Sequence, residues 1–278
     1  MIKALEFPTK EFATKDDLFK DLIANKSKLI SLKKSQEKKA DAVSLFYSET
    51  GVDKGIVSKA DVVIEDLESL TELTVKVVIN TTNLLDSHGD VHIDGIWNKA
   101  LKDNSTFLHL QEHDKSFNNV ISDDAKAAVK SMGWADLGLN FEGKTQALIF
   151  DSVIQKKRNP FMLSQYANKW VKNHSVGMRY VQMNLAINSE AEWNKEEKEV
   201  WDKYYPVIAN KEAADQKGYF WAVTEAKIIE GSAVVFGSNF ATPTLSEKNQ
   251  EPSEDTSDKF EPSEDTQTEK KSYYSGLI

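Results

Sequence analysis

The stretch NHSVGMRYV, residues 173–181, predicts a β-strand, because apolar and polar side chains alternate along most of it. Alternation places Ser175, Gly177 and Arg179 on one face of this strand and its apolar residues on the other. A serine and an arginine that flank a glycine have two interpretations, a solvated strand face or the floor of a shallow cleft. In the second interpretation Ser175 is a nucleophile, Gly177 lets a substrate backbone approach, and Arg179 helps to stabilise an oxyanion.

Further stretches rich in Val, Ile, Tyr and Phe extend this prediction to a whole sheet. They are LTVKVVINTTN (73–83), VHIDGIW (91–97), TQALIFDSVIQ (145–155) and YFWAVTEAKIIEGSAVVFG (219–237). Two helical segments interrupt them, at residues 159–173, where Pro160 stands near the start, and at the charged insert 190–217. The order of these segments predicts an α+β fold, an antiparallel sheet or barrel decorated by helices.

The overall composition narrows the class of protein. The chain has 278 residues, of which 40% are hydrophobic, enough to build a sizeable core. With 44 acidic against 35 basic residues and a net charge of -9, it is a poor candidate for general nucleic-acid binding, which requires a basic surface. The absence of cysteine excludes disulfides, thiolate metal ligands and a cysteine nucleophile. With no apolar run near the ~20 residues of a membrane span and no signal peptide, we expect an intracellular protein that binds neither nucleic acid nor membrane.

The N-terminal region carries a lysine-rich amphipathic pattern. Residues 15–42 place leucine and isoleucine at roughly helical spacing and predict one helix. This helix either docks on a partner or packs on its own domain, and the sequence leaves both open. We divide the chain into an N-terminal arm 1–57, a domain 58–245 that contains the insert 190–217, and a tail 246–278.

The tail differs in composition from the rest of the chain. It contains the imperfect repeat EPSEDTSDKF (251–260) and EPSEDTQTEK (261–270), and it holds nine acidic residues against four lysines. Because it has few apolar residues to bury, it cannot offset the conformational entropy that ordering would cost. The composition therefore predicts a disordered acidic tail.

A serine nucleophile needs a base within hydrogen-bond reach and usually a third group that orients the base. The stretch FLHLQEHD (107–114) offers such a base. If it is a strand, His109, Gln111 and His113 share a polar face, and the leucines between them point into the core. A polar face beside an apolar one suits the wall of an active site. An ordinary surface or core histidine is the alternative.

A single carboxylate, Glu230, interrupts the apolar stretch AKIIEGSAVVF (226–236). If this strand is central in the sheet, Glu230 must be paired or hydrogen-bonded, and an imidazole or an arginine would satisfy it. If the strand lies at an edge, Glu230 faces water.

The stretch SHGDVHID (87–94) offers a rival site, with His88, Asp90, His92 and Asp94 at every second position. Histidine and aspartate ligate metal ions, so a metal-dependent hydrolase is an alternative function. Along one extended strand the four residues would spread over ~13 Å. They could converge on one ion only through a turn, which the glycine in the stretch allows.

Four motifs in order point to a known family. They are HGDVHIDGIW (88–97), FLHLQEHD (107–114), HSVGMRY (174–180) and IIEGSAVVFGSN (228–239). Their order and separations resemble those of the prohead (capsid-maturation) serine proteases of tailed bacteriophages, which are similar in fold to the herpesvirus assemblins. The resemblance runs from about residue 70 to residue 245.

This resemblance implies a compact antiparallel β-barrel surrounded by helices, and it implies a serine endopeptidase. It assigns Ser175 as the nucleophile, His113 as the general base and Glu230 as the third member of a triad, with Asp114 as the alternative third member. The implied reaction is acyl transfer, which needs no metal and no other cofactor.

The resemblance also implies substrates and a location. The substrates would be the capsid precursor, the scaffolding protein and the protease itself, inside the immature prohead in the host cytoplasm, and self-association is a further expectation. Two alternatives stay open. One is a catalytically inactive, protease-like protein that serves capsid assembly or scaffolding, and the other is a metal-dependent hydrolase that uses His88, Asp90 and His92.

Overall fold

The computed structural model of the chain describes residues 1–38 and 68–248. In these two ranges the chain has the predicted α+β fold with one large sheet. The prediction of a purely antiparallel sheet is wrong, because β4 and β5 pair with β9 in parallel. The predicted arm boundary at residue 57 and the predicted disorder of residues 249–278 lie outside the described residues. None of the helices in these ranges combines the length and the apolar character that a membrane span requires.

The two ranges contain ten strands and six α-helices. The strands are β1 (Ile2–Lys3), β2 (Glu11–Phe12), β3 (Glu72–Thr81), β4 (Asp90–His92), β5 (Thr106–Gln111), β6 (Val120–Gly133), β7 (Lys144–Gln155), β8 (Asn173–Ile187), β9 (Tyr219–Val234) and β10 (Thr244–Lys248). The helices are α1 (Lys15–Ala24), α2 (Lys26–Ser35), α3 (Asn98–Asp103), α4 (Pro160–Ala167), α5 (Lys195–Tyr204) and α6 (Lys211–Lys217).

Strands β3 to β10 form one sheet, in the order β10-β3-β7-β6-β5-β9-β4, with β8 paired to β9. Both β5 and β4 run parallel to β9, at different positions along it, whereas β8 runs antiparallel to β9. Because β9 is 16 residues long, it has room for all three partners. The sheet thus places β5, β9 and β8 side by side.

The sheet curls but does not close into the predicted barrel within the described ranges. Strand β8 packs against β3, yet β3 is already paired with β7 and with β10. Closure would require β8 to use backbone groups of β3 that β10 occupies. Because β10 extends to Lys248, it also reaches past the predicted domain boundary at residue 245.

Most predicted strands correspond to observed ones. The predictions at 73–83, 145–155 and 219–237 match β3, β7 and β9, and the opening stretch matches β8. The prediction at 91–97 was too long, because β4 is short and α3 follows it closely. Strand β6 was missed, since its sequence VISDDAKAAVKSMG is polar and many of its residues are exposed.

The N-terminal region packs onto the domain rather than standing away from it as an arm. The single predicted helix is two helices, α1 and α2, which meet at Asn25, and Thr14 and Asp17 form a capping box at the start of α1. Burial of one large apolar side chain contributes about 1.5–3 kcal/mol. Side chains of this region that join the main core are Phe12, Leu18, Phe19, Leu22 and Leu29.

Both predicted helical segments are helical. In α4, Pro160 lies in the first turn, and the Asn159 side chain accepts a hydrogen bond from the Met162 N–H. Helix α4 ends at Ala167, well before the predicted end at residue 173. The insert 190–217 contains α5 and α6, which bury a smaller apolar cluster beside β9.

Candidate active site

Three neighbouring strands carry the three residues of the expected triad. His113 follows the end of β5, Glu230 lies on β9, and Ser175 lies on β8. Strand β9 lies between the other two, parallel to β5 and antiparallel to β8. Strand pairing therefore brings together residues that are far apart in the sequence.

The His113 ring is hydrogen-bonded to Glu230, with 2.6 Å between Nδ1 and Oε1. Glu230 is fully buried, and only 7% of His113 is exposed. Because burial of an uncompensated carboxylate is costly, both of its oxygens need partners. Ser232 supplies the second partner, since its Oγ donates to Glu230 Oε2 at 2.6 Å.

Ser232 is a site residue that sequence reasoning missed. Besides donating to Glu230, its Oγ accepts a hydrogen bond from the His113 backbone N–H at 3.1 Å. The hydroxyl therefore links the backbone of His113 to the Glu230 carboxylate that is hydrogen-bonded to the His113 ring. A signal for this role was present, because Ser232 follows Glu230 by two positions on one strand and so shares its face.

A tight turn at residues 111–114 orients the His113 side chain toward Glu230. Glu112 and His113 have positive φ angles of 52° and 57°, and the Asp114 N–H donates to the Gln111 carbonyl at 3.0 Å. Two successive residues of positive φ are typical of a type I′ turn. The predicted polar face of His109, Gln111 and His113 is wrong, because β5 ends at Gln111 and the turn moves His113 out of the alternation. Within β5 the predicted sides are also reversed at two positions, since His109 is fully buried and Leu108 is 40% exposed.

His109 is buried in the core with a second histidine. Its ring lies 3.0 Å from Ser152 Oγ and 3.2 Å from Tyr166 OH, and Tyr166 OH lies 2.9 Å from Nε2 of His174. Burial, with a smaller effect of His174, lowers the pKa of His109 to about 3. Burial also lowers the pKa of His174 to about 4. Both rings are therefore neutral near pH 7, and their contacts belong to the core rather than to the Glu230 site.

The register of β8 against β9 places Ser175 opposite Ser232 and Gly177 opposite Glu230. Directly opposed residues of antiparallel strands share a face of the sheet, with Cβ atoms roughly 5 Å apart. Ser175, which is 5% exposed, therefore lies beside the hydroxyl that bridges His113 and Glu230.

Gly177 has a different role from the predicted one. A Cβ atom added at this glycine would lie 2.7 Å from Cδ and 3.0 Å from Cγ of Glu230, closer than Cβ atoms approach other atoms. The space that the glycine leaves is filled by the Glu230 side chain rather than left open for a substrate backbone. A larger residue at position 177 would push Glu230 away from His113.

The two other residues predicted for the site are Arg179 and Asp114. Arg179 is exposed to solvent. The Asp114 carboxylate stabilises the turn that follows it, where it accepts from the Ser116 N–H at 2.9 Å and from the Asn119 side-chain amide at 2.5 Å. Of the two carboxylates, Glu230 is the one that is hydrogen-bonded to the His113 ring in the structure.

The alternative metal site forms a cluster, but with a different membership. Asp86, His88 and Asp90 each offer a ligand atom, all within 4.8 Å of one another, at a turn where Gly89 has a φ of 75°. His92 does not belong to this cluster, since both of its ring nitrogens contact other side chains of the core. The predicted set of His88, Asp90 and His92 therefore does not converge.

Positive charges already neutralise the central acid of this cluster. Lys33 Nζ lies 2.5 Å from one oxygen of Asp90, Lys38 Nζ lies 3.6 Å from the other, and Tyr180 OH donates at 2.8 Å. Burial acts to raise the pKa of Asp90, but the two ammonium charges and these hydrogen bonds outweigh it and hold that pKa below its usual value. Asp86 accepts 2.9 Å hydrogen bonds from two backbone N–H groups of the turn. Protein groups thus satisfy these carboxylates, and the lysines would repel a cation.

Comparisons with known proteins add no constraint on the function. The sequence matches no family model and no curated protein, and the fold matches no solved structure. Inference about function therefore depends on the geometry of the site and on the sequence motifs.

Proposed function

We propose that the chain is a serine endopeptidase with a triad of Ser175, His113 and Glu230. The observation that carries the proposal is the buried hydrogen bond of 2.6 Å between His113 Nδ1 and Glu230 Oε1, beside the β8 position of Ser175. A carboxylate, an imidazole and a hydroxyl on three adjacent strands are the groups that acyl transfer by a serine needs. The sequence motifs support the same assignment.

The roles of the three residues follow from their contacts. With Glu230 ionised, the His113 Nδ1 nitrogen carries a proton and donates it to the carboxylate, so Nε2 is the nitrogen that acts as base. Ser175 Oγ attacks the scissile carbonyl carbon, its proton passes to Nε2, and the same proton then goes to the leaving amine. Water, activated in the same way, releases the acyl group and restores the serine.

The electrostatic contribution of Glu230 arises from its burial. During each step His113 becomes an imidazolium, and the adjacent carboxylate stabilises that charge in a site from which water is largely excluded. Ser232 holds the second carboxylate oxygen, so Glu230 keeps its orientation while the proton moves. Ser232 is thus a positioning residue rather than a catalytic one.

The proposed substrates come from the resemblance to prohead proteases. They are the capsid precursor, the scaffolding protein and the chain itself, and the proposed place of action is the immature prohead. Co-expression with the capsid precursor and scaffolding protein of the same source, followed by mass spectrometry of the products, tests this. We expect cleaved products with the unchanged chain and intact precursors with the Ser175→Ala variant.

In the same co-expression experiment, histidine variants distinguish the serine endopeptidase from the alternative metal-dependent hydrolase. His113→Ala should abolish cleavage, whereas His88→Ala and His92→Ala should leave most of it. A metal hydrolase predicts the reverse order, together with loss of cleavage in the presence of a chelator. Intact precursors in every co-expression would instead support the inactive assembly protein.

A further inference from the structure

An extended piece of the N-terminal region pairs with β8 close to Ser175. Helix α2 ends at Ser35, and Gln36 has the extended angles φ -88° and ψ 142°. Lys38 then forms an antiparallel bridge with Met178. The Lys38 N–H donates to the Met178 carbonyl at 2.8 Å, and the Met178 N–H donates to the Lys38 carbonyl at 3.3 Å. The edge of β8 that does not face β9 is therefore occupied by the chain's own backbone at this point.

Side chains also fix this segment, through contacts with two other parts of the chain. Glu37 accepts two hydrogen bonds of 2.8 Å from Lys115, which lies on the loop just after His113. Lys38 lies 3.6 Å from the buried Asp90 and 5.4 Å from the centre of the Tyr180 ring. The segment Gln36–Lys38 thus connects the β8 edge with the loop that carries the proposed base.

The direction of the segment matters for the proposed reaction. Antiparallel pairing means that the chain from Gln36 to Lys38 runs along β8 from beside Tyr180 to Met178, that is, in the direction of Ser175. Three strand residues separate these two positions by about 10 Å. An extended peptide that adds to a sheet edge gains main-chain hydrogen bonds whatever its side chains are. A substrate peptide laid on this edge would use the same Met178 N–H and carbonyl to bring its scissile bond to Ser175.

We propose that the β8 edge at Met178 is a binding site for an extended peptide strand, and that Gln36–Lys38 occupies this site in cis and so competes with a substrate strand that must pair with Met178 to reach Ser175. The inference deepens the proposed peptidase function and rests on it for the identity of the incoming strand as substrate. It adds a regulatory step, in which the segment must leave the edge before a substrate strand can bind.

Two substitutions of Lys38 separate the effect of its main-chain hydrogen bond to Met178 from the effect of its side chain. Lys38→Pro removes the N–H that donates to Met178, and proline also favours an extended residue before it, as Glu37 requires for pairing. Lys38→Ala is the matched control. It keeps the N–H, and like Lys38→Pro it loses the contacts of the Lys38 ammonium group with Asp90 and Tyr180. Because a net hydrogen bond contributes about 0.5–1.5 kcal/mol, we expect the two variants to differ by a factor of roughly 2–10 in occupancy of the edge.

Binding is measured without catalysis, in the Ser175→Ala background. The probe is a fluorescein-labelled peptide SLKKSQEKKADA, the sequence of residues 31–42, and the control is the same peptide with proline at the position of Lys38, which lacks the N–H that pairs with Met178. We expect the probe to bind the Lys38→Pro chain several-fold more tightly than the Lys38→Ala chain. We also expect the Met178 amide to exchange hydrogen faster in the Lys38→Pro chain and to regain protection when the probe is added. Equal affinities, or Met178 exchange that neither the proline nor the probe alters, would overturn the inference.

A separate measurement distinguishes failure of the inference from failure of the proposed function. With Ser175 present, the Lys38→Pro chain should hydrolyse fluorescently labelled casein several-fold faster than the Lys38→Ala chain. If neither chain hydrolyses casein but the probe still binds as expected, the peptide site stands and the peptidase assignment falls. If both hydrolyse it at one rate and bind the probe equally, the cis occupancy is wrong and the peptidase stands.

Discussion

The carboxylate of Glu230 lies in the space that Gly177 leaves open, directly across the β8–β9 pair, and from there it reaches His113. The two residues therefore depend on each other. Gly177→Ala should destabilise the chain by about 1–3 kcal/mol, as overpacking does elsewhere. In a Glu230→Ala background the added methyl group meets no carboxylate, so its cost should largely disappear. Urea unfolding of the four chains of this cycle measures the coupling, and independent effects of the two substitutions would contradict the geometry.

Replacement of Glu230 by glutamine should leave the fold intact and remove activity. The amide cannot stabilise the imidazolium, and its N–H₂ group favours the wrong tautomer of His113, so we expect kcat to fall on the order of 10⁴-fold. The matched control is Glu225→Gln on the same strand, which removes only the partially exposed pair with Lys99. Initial rates of casein hydrolysis and melting curves of both variants check this. Similar rates for Glu230→Gln and Glu225→Gln would show that Glu230 has no part in the reaction.

Replacement of Ser232 by alanine should act through Glu230 and His113. The variant loses a hydrogen bond to a buried carboxylate and one from the His113 backbone, a loss of about 1.5–3 kcal/mol in unfolding free energy. We expect kcat to fall by at least tenfold while KM changes little, because the hydroxyl orients the triad and does not contact the substrate. A change confined to KM would place Ser232 in the substrate site instead.

Stability should depend on pH through His109 and His174. Their pKa values in the folded chain are about 3 and about 4, because they are buried, whereas a histidine in the unfolded chain titrates near 6.5. Between pH 4 and 6.5 the unfolded chain therefore binds more protons, so stability falls as the pH is lowered through this window. Urea unfolding at pH 5 and pH 7 should give a lower midpoint at pH 5. His174→Gln should reduce this difference, and equal midpoints for the unchanged chain would contradict the burial of both rings as neutral groups.

The position of a C-terminal truncation should matter within a few residues. Ser246, Glu247 and Lys248 pair with β3, so truncation after Leu245 removes most of β10, whereas truncation after Lys248 keeps it. The shorter chain should melt at a lower temperature, and the longer one should melt like the full chain. If both truncated chains melt like the full chain, the β10 pairing contributes nothing to stability.

Much of this arrangement could be predicted from local sequence patterns. The alternation around Ser175 identified β8, and the lone acid in an apolar run indicated that Glu230 would need a partner if its strand were central. The face of His113 could not be predicted in this way. It depends on two successive residues with left-handed φ in a turn; histidine is enriched in that conformation but Glu112 is not of a type that favours it, so the pair gives no turn signal.

Contacts between distant segments were also beyond local patterns. Gly177 makes room for Glu230 only because the register of β8 against β9 places the two residues opposite each other. That register cannot be deduced from the sequence of β8 alone. The lysine-rich pattern near the N-terminus left open whether it binds a partner or its own domain. In the structure the region packs on its own domain, where Lys33 and Lys38 form ion pairs with the buried Asp90 carboxylate. That contact joins segments far apart in the sequence, so local patterns do not reveal it.

Covalent labelling of the nucleophile tests the central claim most directly. A fluorophosphonate reacts with a serine that a neighbouring base has activated, and peptide mass spectrometry locates the adduct. We predict an adduct on Ser175 in the unchanged chain, faster formation in the Lys38→Pro chain, and none in the His113→Ala chain. An unmodified Ser175 in both the unchanged and the Lys38→Pro chains, or an adduct that forms equally well without His113, would contradict the triad.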